Sequence, residues 1–232
     1  MQKRRFILKI SGESLSPMIS EERVASLANT LIELSKHAEL AVVLGAGNLY
    51  RGREAGSSIL RGVADEVGML ATVMNAKIVS NHLRGMGRVF TAKPFPVDHP
   101  YQRAEVDSWL KGGGIAFLAY GTGLPYFSTD SAAAFYAIDL CADQILKATN
   151  VDGVYDKDPK QHATATRFDK LTYMEAIEKD LKVMDQTAFA LLKEHSVKGH
   201  PISIRIFPYN LLDQILKDET IGTHIYGSKK EK

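Results

Sequence analysis

A single cysteine, Cys141, stands among the 232 residues, so neither an intrachain disulfide nor a cysteine-built metal cluster is available. Its setting, SAAAFYAIDLCAD, reads as a helix, and the thiol as a small core side chain. The seven histidines are scattered, with no HExxH and no close repeat. A net charge of +2 gives no bulk attraction for nucleic acid or for a membrane surface. No apolar run approaches a bilayer span. The basic start MQKRRFILK has three apolar residues before Lys9, too few for a signal-peptide core, so a cytoplasmic location is expected. Two phosphate-binding signatures are missing as well. There is no GxxxxGK[ST], and GAGNLYRG breaks the dinucleotide fingerprint at its third glycine.

What is present is a rhythm. Apolar runs rich in Val, Ile and Leu recur: FILKI, ELAVVLG, AKIVS, RVFTA, GIAFLAYG, DQILKA and PISIRIF. Helix-like stretches separate most of them: EERVASLANTLIELSKH, ADEVGMLATVMNAKIVSNHL, DSAAAFYAIDLCAD, LTYMEAIEKDL and MDQTAFALLKEH. Strands alternating with helices argue for a mostly parallel sheet covered on both faces. With no repeat or linker, and KPFPVDHPYQ as the best loop, residues 1–232 read as one three-layer α/β/α domain.

Four strands end in similar fashion. FILK runs into Lys9-Ile10-Ser11-Gly12, AVVL into Gly45-Ala46-Gly47-Asn48, AFLAY into Gly121-Thr122-Gly123, and QILK into Ala148-Thr149-Asn150. Open α/β sheets bind ligands at the carboxyl ends of their strands. Glycine there lets backbone approach an anion, and a following helix start supplies donors. A lone turn of this kind is also explained by strand-to-helix geometry; four of them, two with lysines, favour a phosphate-bearing ligand. The stretch KATNVDGVYDKDP adds a lysine at a strand end followed by polar turn residues around Val and Tyr. That composition suits a charge and a flat apolar surface together. Read without further context, Lys9 also fits a side chain snorkelling from a strand end, and Asp65, Asp130 and Asp185 fit helix caps.

The segments ILKISGESL, VVLGAGNLYRG, ADEVGMLATVMN, GTGLPYFSTDSAAAFYA, ADQILKATNVDGVYDKDP and LTYMEAIEKDLKVMD occur in this order at fitting spacing. Together they resemble the bacterial uridylate kinases of the amino-acid-kinase superfamily, from about Phe6 to the C-terminal strand THIYG. The resemblance implies a carbamate-kinase-like three-layer α/β/α sandwich rather than a P-loop fold. It implies transfer of the ATP γ-phosphoryl group to UMP with Mg²⁺ brought by ATP, and no protein metal ligand is assigned. It further implies inhibition by UTP and a homohexamer, with the UMP site mainly in the N-terminal part and the ATP site mainly from about residue 142 onward.

Residue roles follow from the matched motifs. Lys9, Lys147, Asp130, Arg51 and Asp185 are implied as catalytic. Lys9, Ile10, Ser11, Gly12, Gly47, Arg51, Thr149, Asn150, Tyr155 and Asp158 are implied to hold ATP, with Val151, Val154 and Tyr155 as the slot for adenine. Ala46, Asp65, Thr122, Gly123, Leu124, Pro125, Tyr126, Phe127, Ser128 and Thr129 are implied to hold UMP. Ala46 replaces the middle glycine of the family's Gly-Gly-Gly-Asn loop, and Leu124 replaces its usual asparagine. Relatives activated by GTP often carry a longer, glycine-containing connection where this chain has Leu15-Ser16-Pro17-Met18-Ile19-Ser20, so weak GTP activation is expected. Phosphorylation of carboxylates, carbamate or isopentenyl phosphate is the rival reading within the superfamily. A nucleotide-binding storage or sensor protein is the rival outside catalysis.

Overall fold

The computed structural model describes residues 3–15, 20–50, 58–96, 98–159, 161–181, 183–198 and 201–227. Arg51 and the 16–19 part of the connection named above lie outside them. In chain order the elements are β1 (Arg5–Ile10), α1 (Glu21–Ser35), β2 (Glu39–Leu44), α2 (Arg61–Asn81), β3 (Gly87–Thr91), β4 (His99–Pro100), α3 (Arg103–Lys111), β5 (Ile115–Ala119) and α4 (Thr129–Asp139). There follow β6 (Gln144–Thr149), β7 (Val154–Tyr155), β8 (Arg167–Phe168), β9 (Lys170–Thr172), α5 (Tyr173–Glu178), α6 (Gln186–Lys198), β10 (Ser203–Pro208) and β11 (Thr223–Tyr226).

A nine-stranded sheet runs β4-β3-β5-β2-β1-β6-β10-β11-β9. Every pairing in it is parallel except that of β10 with β11. Central strands buried on both faces must be apolar throughout, and β1 and β2 are buried along their whole length. Alternate residues feed two cores. Leu8, Val42 and Leu146 pack with Leu27 and Leu31 of α1 and Val73 of α2. Ile7, Val43 and Ile145 pack with Val106 of α3, Ala133 of α4, Ala176 of α5 and Phe189 of α6. The α/β/α layering expected from the sequence is therefore the observed one.

Topology places the site. The chain passes from β2 through α2 to β3, leaving room for β5, and then α4 carries it back across β2 and β1 to β6. That reversal is a switch point, where the carboxyl ends of strands open a crevice. The four glycine- or lysine-bearing strand ends converge there.

Several sequence readings need correction. AKIVS is no strand; it lies inside α2, whose buried face includes Ala76 and Val79. Thr172 ends β9 and caps α5 through a capping box with Glu175, so the helix begins later than LTYMEAIEKDL suggests. Cys141 is exposed beyond the end of α4 in the left-handed region, at φ 51°, and is no core residue. The two-residue strands of the β7–β8 hairpin escape any periodicity argument.

Candidate active site

β1 and β6 are neighbours in register, and the pairing sets Lys9 opposite Lys147. Directly paired residues of parallel strands project to the same face, so both ammonium groups rise toward α4. The helix begins with Ser128 as N-cap, its side chain accepting from the backbone N–H groups of Asp130 and Ser131. Asp130 is thus the second helical residue rather than the cap, and its carboxylate is free to turn inward. Lys9 Nζ lies 3.0 Å from Asp130 Oδ1 and Lys147 Nζ 2.6 Å from Oδ2. Lys147 also donates to the Val183 carbonyl just ahead of α6. Burial by itself would raise the Asp130 carboxyl, but the two lysines outweigh it and hold the group well below the usual carboxylate range. Burial lowers the Lys147 ammonium, with Asp130 opposing and Lys9 reinforcing the shift. Two cations thus share one anion, leaving a positive excess directed at whatever occupies the crevice.

The loops after β1 and β2 are interlocked. A methyl at Gly12 would stand 2.6 Å from the Gly45 carbonyl oxygen, the Gly47 nitrogen and Asn48 Oδ1, so only glycine fits. The Gly45 N–H donates to the Ile10 carbonyl at 2.8 Å, while the Ile10 side chain belongs to the core. Ala46 avoids the left-handed region, which is why the sequence tolerates a methyl in that loop. A residue the sequence reading missed anchors it. Asn75 of α2, wholly buried, donates from Nδ2 to the Gly45 carbonyl at 2.8 Å and to Asn48 Oδ1 at 2.8 Å, and accepts from Asn48 Nδ2 at 3.0 Å. An amide on the mostly apolar buried face of α2 was the signal available.

A cleft of about 350 Å³ opens beside these loops, lined among others by Lys9, Ser11, Gly12, Gly45, Ala46 and Gly47. Asp65, Arg61, Phe127, Ser128 and Thr129 complete the side facing α2 and α4. Asp65 sits one turn into α2, not at its start, and caps nothing. Its oxygens accept from Arg61 Nε at 2.8 and 2.9 Å, and Oδ2 also accepts the Tyr126 backbone N–H at 2.9 Å. The segment 120–129 is bent sharply, with Tyr120 at φ 67° and Tyr126 at φ 71°. The strain is offset by tethers. Thr72 Oγ1 accepts from the Tyr120 N–H, and Tyr136 OH donates to the Gly121 carbonyl at 3.0 Å. Burial first, then its hydrogen bond to Glu66, pushes the Tyr120 phenol up to about 12, so it remains a donor. Thr122, Gly123, Leu124, Pro125 and Tyr126 lie outside the cleft lining, and Leu124 and Tyr126 are exposed.

Asp185 joins the same region from the start of α6. It accepts from the hydroxyls of Ser128 and Ser131 and from the Ala188 N–H. It therefore both caps α6 and ties that helix to the α4 N-terminus. On the β6 side, Asn150 Nδ2 donates to Glu13 Oε2 at 3.1 Å, linking the turn after β6 to the one after β1. Thr149 Oγ1 donates to the Val151 carbonyl, and Tyr155 OH to Asp152 Oδ1. Asp158 is exposed beyond β7. Val154 is wholly buried in the core, so it cannot form an adenine slot; Val151 and Tyr155 are half-buried and remain open to one.

The carboxylates do not form a metal cage. Asp130 is engaged by both lysines and Asp185 by two serines. Among the described residues no group of three or more His, Cys, Asp or Glu is placed to hold an ion. A divalent cation that arrives on nucleotide phosphates needs only one or two carboxylates from the protein, and Asp130 and Asp185 suit that demand.

The amino acid kinase family model matches residues 4–207. A uridylate kinase of Xanthomonas oryzae pv. oryzae is 43% identical over 237 residues, covering 97% of this chain and 97% of its own. One of Azorhizobium caulinodans is 44% identical over 211 residues, covering 87% of this chain and 89% of its own. The crystal structure of UMP kinase from Bacillus anthracis superposes with a TM-score of 0.88 at 30% identity, covering 97% of this chain and 96% of that one. UMP kinase from Ureaplasma parvum gives a TM-score of 0.88 at 32% identity, covering 99% and 100%. Matched over most of its length by the family model and over nearly all of it by these relatives, the chain belongs to the amino acid kinase family.

Proposed function

We propose that the chain transfers the γ-phosphoryl group of ATP to UMP, giving ADP and UDP, in pyrimidine nucleotide biosynthesis. The observation that carries this reading is the Lys9–Asp130–Lys147 cluster at the convergence of four strand ends. An oxygen of the UMP phosphate attacks the γ-phosphorus while the bond to the β–γ bridging oxygen breaks. Negative charge moves onto the departing ADP, and preorganised cations facing that charge lower the barrier. Lys9 and Lys147 supply them, and Asp130 fixes where they point. Backbone amides of the interlocked loops at Gly12, Ala46 and Gly47 cradle the phosphates. A divalent cation such as Mg²⁺, brought by ATP, would supply further neutralisation of the migrating charge.

UMP occupies the 350 Å³ cleft, with Asp65 toward the ribose hydroxyls and Phe127, Ser128 and Thr129 toward the base and phosphate. ATP lies on the β6 side, where Thr149, Asn150, Tyr155 and Asp158 border the turn. UTP competes for the UMP cleft. The residues of the UMP site come mainly from the N-terminal part and those of the ATP site from about 142 onward. No helix among the described residues is long and apolar enough to cross a membrane.

An ADP-release assay over UMP, CMP, dUMP and TMP tests the reading, with UMP expected to be the preferred acceptor. Binding of ATP and UMP without formation of UDP would overturn it.

A further inference from the structure

Tyr120 follows β5 with φ 67°, in the left-handed region that a bulky side chain enters only where its surroundings hold it there. The residue is 3% exposed, and it is held from several sides. Its N–H donates to Thr72 Oγ1 at 2.9 Å, and its hydroxyl to Glu66 Oε1 at 2.9 Å. Its ring meets Phe95 edge-on with centroids 5.1 Å apart, and Lys93 Nζ lies 5.7 Å from the ring centroid. Its carbonyl accepts the Gly123 N–H at 2.9 Å, closing the turn that starts the 120–129 segment. Two of these anchors, Glu66 and Thr72, belong to α2. The same helix reaches the far end of the segment, where Asp65 Oδ2 accepts the Tyr126 N–H. The chain neighbours Asp65 and Glu66 therefore hold the wall of the cleft at its two ends, but under different conditions. Asp65 lines the cleft, whereas neither Glu66 nor Tyr120 does.

We propose that Tyr120 is a positioning residue for the acceptor: through Glu66 it anchors the cleft wall independently of the substrate. Asp65 is then able to turn from the Tyr126 N–H to the ribose while Phe127, Ser128 and Thr129 keep their places. The inference rests on the placement of UMP in this cleft. A ribose diol that engages Asp65 competes with the Tyr126 N–H for the same carboxylate. The Tyr120–Glu66 bond lies outside the cleft lining, so it stays made while the substrate binds. Without it, each ribose hydroxyl that takes Asp65 loosens a wall that has lost its other side-chain anchor. The loss therefore grows with the number of hydroxyls the sugar presents, two in UMP and one in dUMP. The wall also runs directly into Ser128, the N-cap of α4, so its drift displaces groups that must be held in place for binding and transfer.

The test measures KM for UMP and for ATP, and the inhibition constant of dUMP against UMP, in the wild-type chain, Tyr120→Phe, Glu66→Ala and their double variant. Tyr120→Phe keeps the ring on Phe95, and the exposed Glu66 stays hydrated, so the fold is retained. Loss of one hydrogen bond to a charged group should raise KM for UMP by about fivefold or more. The dUMP constant should rise less, and KM for ATP should stay unchanged. Glu66→Ala should match Tyr120→Phe, and the double variant should be no worse than either single one. Glu66→Gln, whose amide oxygen still accepts the phenol, should show a smaller rise. An unchanged KM for UMP, with or without a lower Tm, would overturn the proposal. So would equal losses for UMP and dUMP, or losses that add in the double variant. A wild-type chain that leaves UMP unphosphorylated would overturn the underlying reading and the anchor's role with it, whereas an active wild type with an indifferent Tyr120→Phe variant would sink the anchor alone.

Discussion

Two lysines that pair across adjacent parallel strands would repel each other in any ordinary core. Here the repulsion is tolerated because Asp130 stands between them, and because the site is built to receive anions. Each lysine faces charge that develops only during transfer, so truncation should lower kcat more than it weakens UMP binding. Lys9→Ala and Lys147→Ala are each expected to cut kcat by about a hundredfold or more, on the order of 3 kcal/mol. Steady-state kinetics showing near-normal kcat in either variant would reduce that lysine to a strand-end side chain. The lowered Lys147 ammonium also sets a pH dependence. A lysine whose folded value is depressed gives up its proton earlier as pH rises, so kcat/KM for ATP should fall before the ordinary lysine range of about 10.4. Across that window the unfolded chain binds more protons at this position than the folded one, so the linkage contribution of Lys147 favours the folded state as pH rises. Activity should therefore decline on the alkaline side without a loss of melting temperature from this group. A profile flat to the ordinary lysine range would show that the ammonium is not depressed.

At the scale of elements, legibility followed the physics of burial. The strand ends could be read because central parallel strands are continuous apolar runs that stop abruptly at glycine or lysine. The start of α2 could not, because its N-cap position is Leu60, which makes no side-chain cap bond; with no Ser, Thr, Asp or Asn at that position, the sequence offers Asp65 as a cap instead. AKIVS was ambiguous because a buried helix face and a buried strand are equally apolar over five residues. Val154 is implied as an adenine contact by the matched motif, and only tertiary placement assigns it to the core. Asn75 was passed over since a single amide carries no periodicity. Its orientation is unambiguous in the fold, because the Gly45 carbonyl can only accept. Asn75→Asp keeps the shape but sets a carboxylate against two oxygens it formerly bridged as donor. The expected cost is about 3 kcal/mol, or roughly 6–12 °C in Tm for a chain of this size. The loop at Gly45–Asn48 should loosen with it, and kcat should fall even at temperatures well below the new Tm. Unchanged melting and kcat would show that the loop holds its shape without the clamp.

For the whole molecule, α2 poses a question the monomer leaves open. One face of the helix packs on the sheet and carries Asn75; its first turns carry Arg61 and Asp65 to the cleft. A third face presents Leu60, Val63, Val67, Leu70 and Met74, which are 79%, 50%, 40%, 41% and 54% exposed. Their spacing alternates three and four, the seam of a helix that packs against another helix. Exposed apolar side chains scattered singly need no explanation, but a continuous stripe along one helix does. Burying a Leu, Val or Met side chain contributes about 1.5–3 kcal/mol, so even partial burial of five from each copy yields enough to hold two chains together after the losses of association. A second copy presenting the same stripe is self-complementary about a two-fold axis, which is the contact from which a homohexamer of the kind expected from the sequence would be assembled. The double substitution Val67→Glu, Leu70→Glu sets like charges against each other across such a seam. Light scattering behind size exclusion should show the wild-type chain as an oligomer and the variant as smaller particles. Because the same helix positions Arg61 and Asp65, KM for UMP should rise in the dissociated form while ATP binding, built from β1 and β6, changes little. A variant that keeps the wild-type mass would show that this face meets solvent, and that assembly, where it occurs, uses another surface.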